Sequence, residues 1–199
     1  MATDAEAQLV NDFLGSAQIL TSAVNDLMEQ QLREVTGSKL TFSQLKLLKM
    51  VAITEAYTVS NVAAFLGVSN AAASRAVDRL VRRGLLRRTE SADDRRAVEL
   101  SLTPEGHELL SSYDAAASQM LEGIFGRFAP DELRRVGEFL DGISVRIVEE
   151  EQGLEEEVCF RCGIHFRDRC LLRQARQRSC FFHVHKRDHD DTGTAGLGS

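Results

Sequence analysis

The fold is decided by residues 58–84, which read TVSNVAAFLGVSNAAASRAVDRLVRRG. Helical spacing of apolar residues on both sides of Gly67, with Ser69 as an N-cap, predicts two helices joined by a tight turn. We expect the two helices to share a small core. Its predicted members are Val62, Phe65, Val68, Val77 and Leu80. This arrangement indicates a helix-turn-helix unit.

The second helix of this unit begins with short and polar side chains. In a helix-turn-helix, this N-terminal part enters the major groove of DNA. Short side chains at residues 69–75 permit close approach, and their donors can reach base edges or phosphates. The predicted DNA contacts are Ser69, Asn70, Ser74, Arg75 and Arg79. Arg82 and Arg83 extend the basic flank towards the DNA backbone.

Helices are also predicted on the N-terminal side of this unit. One apolar stripe at spacings of three and four indicates a long helix over residues 4–36, which must be buried against something. The pair Thr41 and Gln44 has the spacing of a capping box and starts a helix that runs to about Ile53.

After Gly84 the apolar period changes from that of a helix to that of a strand. Residues 85–89 and 98–102 are therefore predicted to pair as a hairpin. Pro104 starts a helix that reaches roughly Phe128, and Pro130 starts a last helix with one apolar stripe. The members of that stripe are Leu133, Val136, Leu140, Ile143 and Ile147.

The predicted fold class is mainly α with a small β-wing, a winged helix-turn-helix between long terminal helices. Helices of this length around so small a middle are expected to pair between two subunits. The predicted divisions are 1–36 with 103–153 for a helical dimerisation region, 37–102 for the winged domain, 154–189 for a cysteine- and histidine-rich extension, and 190–199 for a disordered tail.

A family resemblance appears at residues 82–106, which read RRGLLRRTESADDRRAVELSLTPEG. This stretch resembles the wing of MarR-type regulators, the multiple-antibiotic-resistance repressors, and the likeness extends over about residues 8–150. The resemblance implies a homodimer, made by the first and last helices, that binds a pseudo-palindromic operator on double-stranded DNA. Regulators of this type are most often repressors, and some respond to a small-molecule effector.

The resemblance also assigns roles to residues at the tip of the hairpin. Two arginines on a protruding hairpin, Arg95 and Arg96, can reach an adjacent minor groove, whose negative potential favours a guanidinium. By position, Arg96 is expected in the minor groove, with Asp94 orienting it. Ser74 and Arg75 become contacts of the recognition helix. Nothing in the family pattern accounts for residues 155–189.

The C-terminal extension holds every cysteine of the chain. Cys159 and Cys162 form a Cys-x-x-Cys-Gly knuckle, a spacing that lets two thiolates reach one tetrahedral ion. Cys170 and Cys180 follow after seven and nine intervening residues and complete a four-thiolate set. His183 and His185 are possible substitute ligands, and His165 is a weaker one.

Clustered thiols in a reducing compartment favour metal binding over disulfides. Structural zinc is the first expectation, and an iron–sulfur cluster is the alternative, since four cysteines are also a valid cluster ligand set. Metal-free thiols on a basic tail remain a third interpretation. A metal or redox event at these cysteines would then modulate the regulator.

Composition limits the other classes of function. The net charge of −6 argues against a protein that coats nucleic acid without specificity, although arginines are concentrated between residues 69 and 102. The chain shows no secretory signal and no apolar run of membrane-spanning length, so a cytoplasmic location is expected.

An enzyme is not expected, because no nucleophile–histidine–carboxylate pattern and no phosphate-binding glycine loop occur. The one histidine outside the extension, His107, lies on a predicted helix of the dimerisation region. A second hypothesis is a metal- or redox-responsive adaptor whose winged domain mainly binds protein.

Overall fold

The computed structural model describes residues 4–37, 39–54, 58–90, 98–150, 159–167, 170–176 and 180–184. Its helices and strands follow the predicted order and give the predicted fold class. In chain order they are α1 (Asp4–Thr36), α2 (Phe42–Ile53), α3 (Val59–Leu66), α4 (Asn70–Arg82), β1 (Leu86–Glu90), β2 (Val98–Leu102), α5 (Pro104–Phe125), α6 (Pro130–Glu150), α7 (Leu171–Arg176) and α8 (Phe181–Val184).

The starts of α2, α3 and α4 are capped by side chains. The predicted capping box of α2 is confirmed: Thr41 Oγ1 accepts from the Gln44 N–H, and the Gln44 side chain accepts from the Thr41 N–H. Thr58 and Asn61 form a second box at α3, which the sequence analysis did not identify. Ser69 caps α4 as predicted, accepting from the N–H of Ala72 at 3.3 Å. These caps satisfy amide groups that the first turn of a helix leaves unpaired.

The core of the winged domain lies between α2, α3, α4 and the hairpin. Of the five residues predicted for the helix-turn-helix core, Val62, Phe65, Val77 and Leu80 are buried. The prediction for Val68 is wrong, because its side chain is 40% exposed. Gly67 adopts a left-handed conformation (φ 65°), and the Val68 N–H bonds back to the carbonyl of Ala63. The turn therefore closes over the end of α3 with the Val68 side chain towards solvent.

The strands β1 and β2 form the base of an antiparallel hairpin. Leu86 pairs with Leu102 and Arg88 with Leu100, so apolar residues of both strands face the core. At the start of α5, a Cβ on Gly106 would lie 2.3 Å from the Leu85 carbonyl oxygen. Only glycine permits this close approach of α5 to the hairpin.

The long helices α1, α5 and α6 lie on one side of the winged domain. Helix α1 packs against α5 through its C-terminal half, where Met28 and Leu32 are buried. Its N-terminal half contacts α6, where the ring centroids of Phe13 and Phe139 lie 6.1 Å apart. Helix α5 ends at Phe125, three residues before the predicted end, because the chain turns at Gly126. Within the described ranges, no helix combines the length and the apolar character needed to cross a membrane.

Candidate nucleic-acid interface and cysteine pocket

Helix α4 presents a polar face to solvent. Its opposite face is buried against the core through Ala73, Ala76, Val77 and Leu80. The outward side chains of Ser69, Asn70, Arg75 and Arg79 are exposed. Four of the five DNA contacts predicted at this helix are thus exposed to solvent.

The arginines of this region differ in what they contact. Arg83 donates to the backbone carbonyl of Lys39, and the Arg82 Nε donates to the Asp78 carbonyl at 3.3 Å. Among the described residues, the guanidinium groups of Arg75 and Arg79 have no hydrogen-bond or ion-pair partner within the protein. They are therefore the cations of this face that remain available to an anionic ligand.

Ser74 differs from its neighbours on α4 because it is half-buried. It lines a small cavity of about 10 Å³ beside Thr58, Val77 and Leu100, at the base of the hairpin. Arg88 lines the same cavity, and its guanidinium lies 3.7 Å from the carboxylate of Asp78. The predicted wing residues Asp94, Arg95 and Arg96 lie outside the described residues, as does the substitute ligand His185.

A second exposed surface is apolar and belongs to the long helices. Only Val148 of α6 is buried, so the predicted stripe of this helix is largely exposed or half-buried in a single chain. The large exposed apolar side chains on α1 and α6 are Leu9, Val10, Leu14, Ile19, Leu20, Leu133, Val136, Phe139 and Ile147. A soluble monomer rarely exposes so continuous an apolar surface.

The predicted knuckle adopts a tight turn. Gly163 has a left-handed conformation (φ 56°), and its N–H donates to the Phe160 carbonyl at 3.0 Å. Cys180 lies beside this turn, because Cys159 and Cys180 form a parallel backbone bridge. In this bridge the Phe181 N–H donates to the Cys159 carbonyl. The described residues 159–167, 170–176 and 180–184, called here the cysteine segment, thus fold back on themselves.

The structure brings all four predicted cysteines to one cavity of about 590 Å³. The cysteine segment forms one wall, and α6 forms the other through Leu140, Asp141, Ser144 and Val148. Arg167 of the segment is ion-paired to Asp141 of α6, which fixes the two walls together. No disulfide joins any of the four thiols.

Two ionisable groups of the pocket have raised pKa values. Burial, together with the thiols of Cys180, Cys159 and Cys170, raises the pKa of Cys162 to about 11. The hydrogen bond that Arg167 donates to the Asp141 carboxylate raises the pKa of Arg167, and Cys170 and Cys162 add to that effect. Nevertheless, in the part of the chain that the structure describes, no three His, Cys, Asp or Glu side chains converge as the ligands of a single metal ion would.

The histidines of the segment have separate surroundings. His183 Nδ1 lies 3.4 Å from Cys180 Sγ, and its ring packs on Phe166. His165 lines the cavity, and burial together with the charge of Lys49 lowers its pKa. His183 is therefore the substitute ligand that the structure places beside a thiol.

An aromatic cluster joins the cysteine segment to the helix-turn-helix. Phe160, which follows Cys159, and Phe182 both contact Phe65 of α3, with ring centroids at 5.9 and 5.7 Å. Phe181 and Phe182 are fully buried. Sequence analysis missed this contact, although the phenylalanines directly after two of the cysteines were a signal for it.

The similarity to solved structures extends over nearly the whole length of those structures. Staphylococcus aureus MarR in complex with salicylate and kanamycin matches with a TM-score of 0.62 at 18% identity, over 72% of this chain and 95% of that one. Streptococcus pneumoniae FabT in complex with DNA matches with a TM-score of 0.57 at 22% identity, over 73% of this chain and 99% of that one. More than a quarter of this chain therefore has no counterpart in either structure.

Sequence comparison gives the family. An uncharacterized HTH-type transcriptional regulator of Bacillus subtilis, YhjH, is 28% identical over 112 residues, which are 55% of this chain and 64% of the relative. The match thus spans less than two thirds of that relative's length. Residues 40–98, which include the helix-turn-helix, match the MarR family model. Over these residues the chain therefore carries the winged helix-turn-helix of the MarR family of transcriptional regulators.

Proposed function

We propose that the protein binds an inverted repeat on double-stranded DNA as a homodimer and represses transcription from that site. The observation that carries this proposal is the outward face of α4, where Arg75 and Arg79 are exposed beside short side chains and have no partner among the residues that the structure describes. Guanidinium groups in this position can donate to guanine edges or to phosphates.

The local positive charge supports binding to DNA, although the net charge of the chain is −6. Arg82, Arg87 and Arg88 are exposed around the same face, and the segment between β1 and β2 carries Arg95 and Arg96 in its sequence. A basic surface of this kind attracts the phosphate backbone, and binding weakens as salt is added.

Dimerisation would cover the apolar surface of α1 and α6. A two-fold axis through these helices pairs the same patch of each subunit and presents two copies of α4. Two recognition helices require half-sites about one helical turn apart, roughly 10 base pairs. This geometry explains why the target is expected to be an inverted repeat.

A small-molecule effector is part of the proposal. A cavity of about 410 Å³ lies where α1, the start of α2 and the base of the hairpin meet, lined by Thr36, Leu40, Arg83, Leu85 and Leu109. A ligand there would touch both the long helices and the winged domain, so it could bias their relative position. Of the structurally similar proteins, one was crystallised with DNA and another with the small molecules salicylate and kanamycin.

Selection of bound duplexes from a random library tests the DNA proposal. The wild-type protein should enrich an inverted repeat whose half-sites are about one helical turn apart. Transcription in vitro from a promoter that overlaps the selected repeat should fall as protein is added. A protein that dimerises but enriches no sequence at low salt would overturn the proposal and favour the adaptor hypothesis.

A further inference from the structure

The four cysteines reach the cavity beside α6 from three separate parts of the cysteine segment. Cys159 and Cys162 come from the knuckle, Cys170 from the start of α7, and Cys180 from the residue before α8. We infer that these four thiolates bind an iron–sulfur cluster, which holds the cysteine segment against α3 and α6. Four cysteines are the usual ligand set of such clusters.

The room between the thiols and α6 favours a cluster over a single ion. Tetrahedral zinc with Zn–S bonds of about 2.3 Å requires sulfurs only about 3.8 Å apart. In the described residues, no three potential ligands converge in this way. A cluster instead distributes its thiolates over several irons and has sulfide between them, so its ligands surround a space. The thiols here line a cavity of about 590 Å³, which leaves room for such a group.

The charges around the cavity complement an anionic group. A cluster with four thiolates carries net negative charge, and the cavity is lined by Arg161, Arg167 and Arg173. Among the described residues of the lining, the one acidic side chain, Asp141, is paired with Arg167.

Apolar side chains from both walls of the cavity lie beside the thiols. Leu140, Ile147, Val148 and Leu172 supply apolar surface around the thiols. An apolar shell limits access of solvent to a metal site and tunes its potential, as do hydrogen bonds to the ligand sulfurs. His183 Nδ1, at 3.4 Å from Cys180 Sγ, is placed to make such a bond.

Metal analysis of the full chain, purified without oxygen, tests the inference. The wild-type protein should contain iron and acid-labile sulfide in equal amounts and absorb visible light. Cys162→Ser and Cys170→Ser should lose both the iron and the absorption. His165→Ala changes a ring that lines the same cavity without contributing a thiolate, and it should keep the cluster. Far-ultraviolet circular dichroism would show whether each variant retains its helices.

Several results would overturn the inference. Colourless wild-type protein with one zinc per chain would assign the thiols to a mononuclear site. Wild-type protein that takes up neither iron nor sulfide, even when both are supplied anaerobically, would leave the cavity without a cluster. A cluster that persists in the folded Cys170→Ser variant, or that disappears from folded His165→Ala, would contradict the ligand set.

Discussion

The ring of Phe65, on the first helix of the helix-turn-helix, packs against the ring of Phe160, the residue after Cys159, with centroids 5.9 Å apart. Through this contact, the knuckle rests directly on the DNA-binding unit. The same segment is tied to α6 by the ion pair between Arg167 and Asp141. The cysteine segment therefore bridges the winged domain and a long helix with an exposed apolar face.

The bridge predicts that the state of the cysteines changes DNA affinity. If the cluster holds the segment in place, removing iron releases Phe160 and Phe182 from Phe65 and alters the freedom of α3. Iron-loaded and chelator-treated protein should then differ in affinity for the selected repeat by about fivefold or more, the lower end of typical couplings. Fluorescence anisotropy of the labelled repeat measures the affinity of each preparation. Equal affinities in preparations of verified iron content would show that the segment is not coupled to DNA binding.

Phe182→Ala should strongly destabilise the packing of the cysteine segment. The ring is fully buried against Phe65 and Phe166, and truncation of such a ring costs about 3–5 kcal/mol. Urea denaturation gives the loss in the free energy of unfolding, and hydrogen exchange locates it. Phe128→Ala is the matched control, because Phe128 is 52% exposed and its loss should cost less than about 0.5 kcal/mol.

Val136→Glu should convert the dimer to monomer. Val136 is exposed on α6 in the apolar surface proposed to pair between subunits, and a buried unpaired carboxylate there would cost several kcal/mol. Sedimentation velocity should show a species of half the wild-type mass. Glu138→Gln, a polar change at an exposed position of the same helix, should leave the mass unchanged. A dimeric Val136→Glu protein would place the interface elsewhere.

Thr41→Val should lower the free energy of unfolding by about 1 kcal/mol, the usual effect of a lost N-cap. The substitution removes the Oγ1 that accepts from the Gln44 N–H and preserves the shape of the side chain. Thr41→Ser keeps the acceptor and should recover most of the stability in the same denaturation experiment. Equal stabilities of the Val and Ser variants would contradict the assigned cap.

Stability should fall at alkaline pH through Tyr113. Burial and the neighbouring Asp114 raise the pKa of this phenol from 10.0 to about 12. The unfolded chain therefore loses the proton first, and the contribution is complete below pH 10 and is lost as pH rises to about 12. Across this window, Tyr113→Phe should lose less free energy of unfolding than wild type. If the free energy of unfolding falls equally with pH in both proteins, the Tyr113 phenol does not cause the alkaline loss of stability.

Local rules sufficed for much of the structure. The box at Thr41, the cap at Ser69 and the left-handed turn at Gly67 each depend on neighbouring residues, so their spacing predicts them. Val68 was misplaced because apolar character does not tell which way a side chain points after a left-handed residue. The match to a family of regulators, rather than enzymes, agrees with the absence of a catalytic motif.

The cysteine pocket was only partly predictable. The clustering of the four cysteines in the sequence predicted that they act together. The sequence did not show that α6 forms the second wall of their cavity. It also did not show that Phe160 and Phe182 pack on Phe65, about a hundred residues away. Contacts at such separations depend on how the long helices are placed relative to the winged domain. The choice between zinc and an iron–sulfur cluster stays a prediction, because four cysteines are a valid ligand set for either.

The most direct test of the proposed function is a titration of the selected repeat with Arg75→Ala/Arg79→Ala. The account predicts at least about tenfold weaker binding and a shallower dependence on salt, since each lost base contact costs about 1–3 kcal/mol. Arg33→Ala removes an exposed arginine on α1 that pairs with Glu29, and it should bind as wild type does. If the double variant binds the repeat as tightly as wild type at every salt concentration, α4 is not the DNA-reading helix.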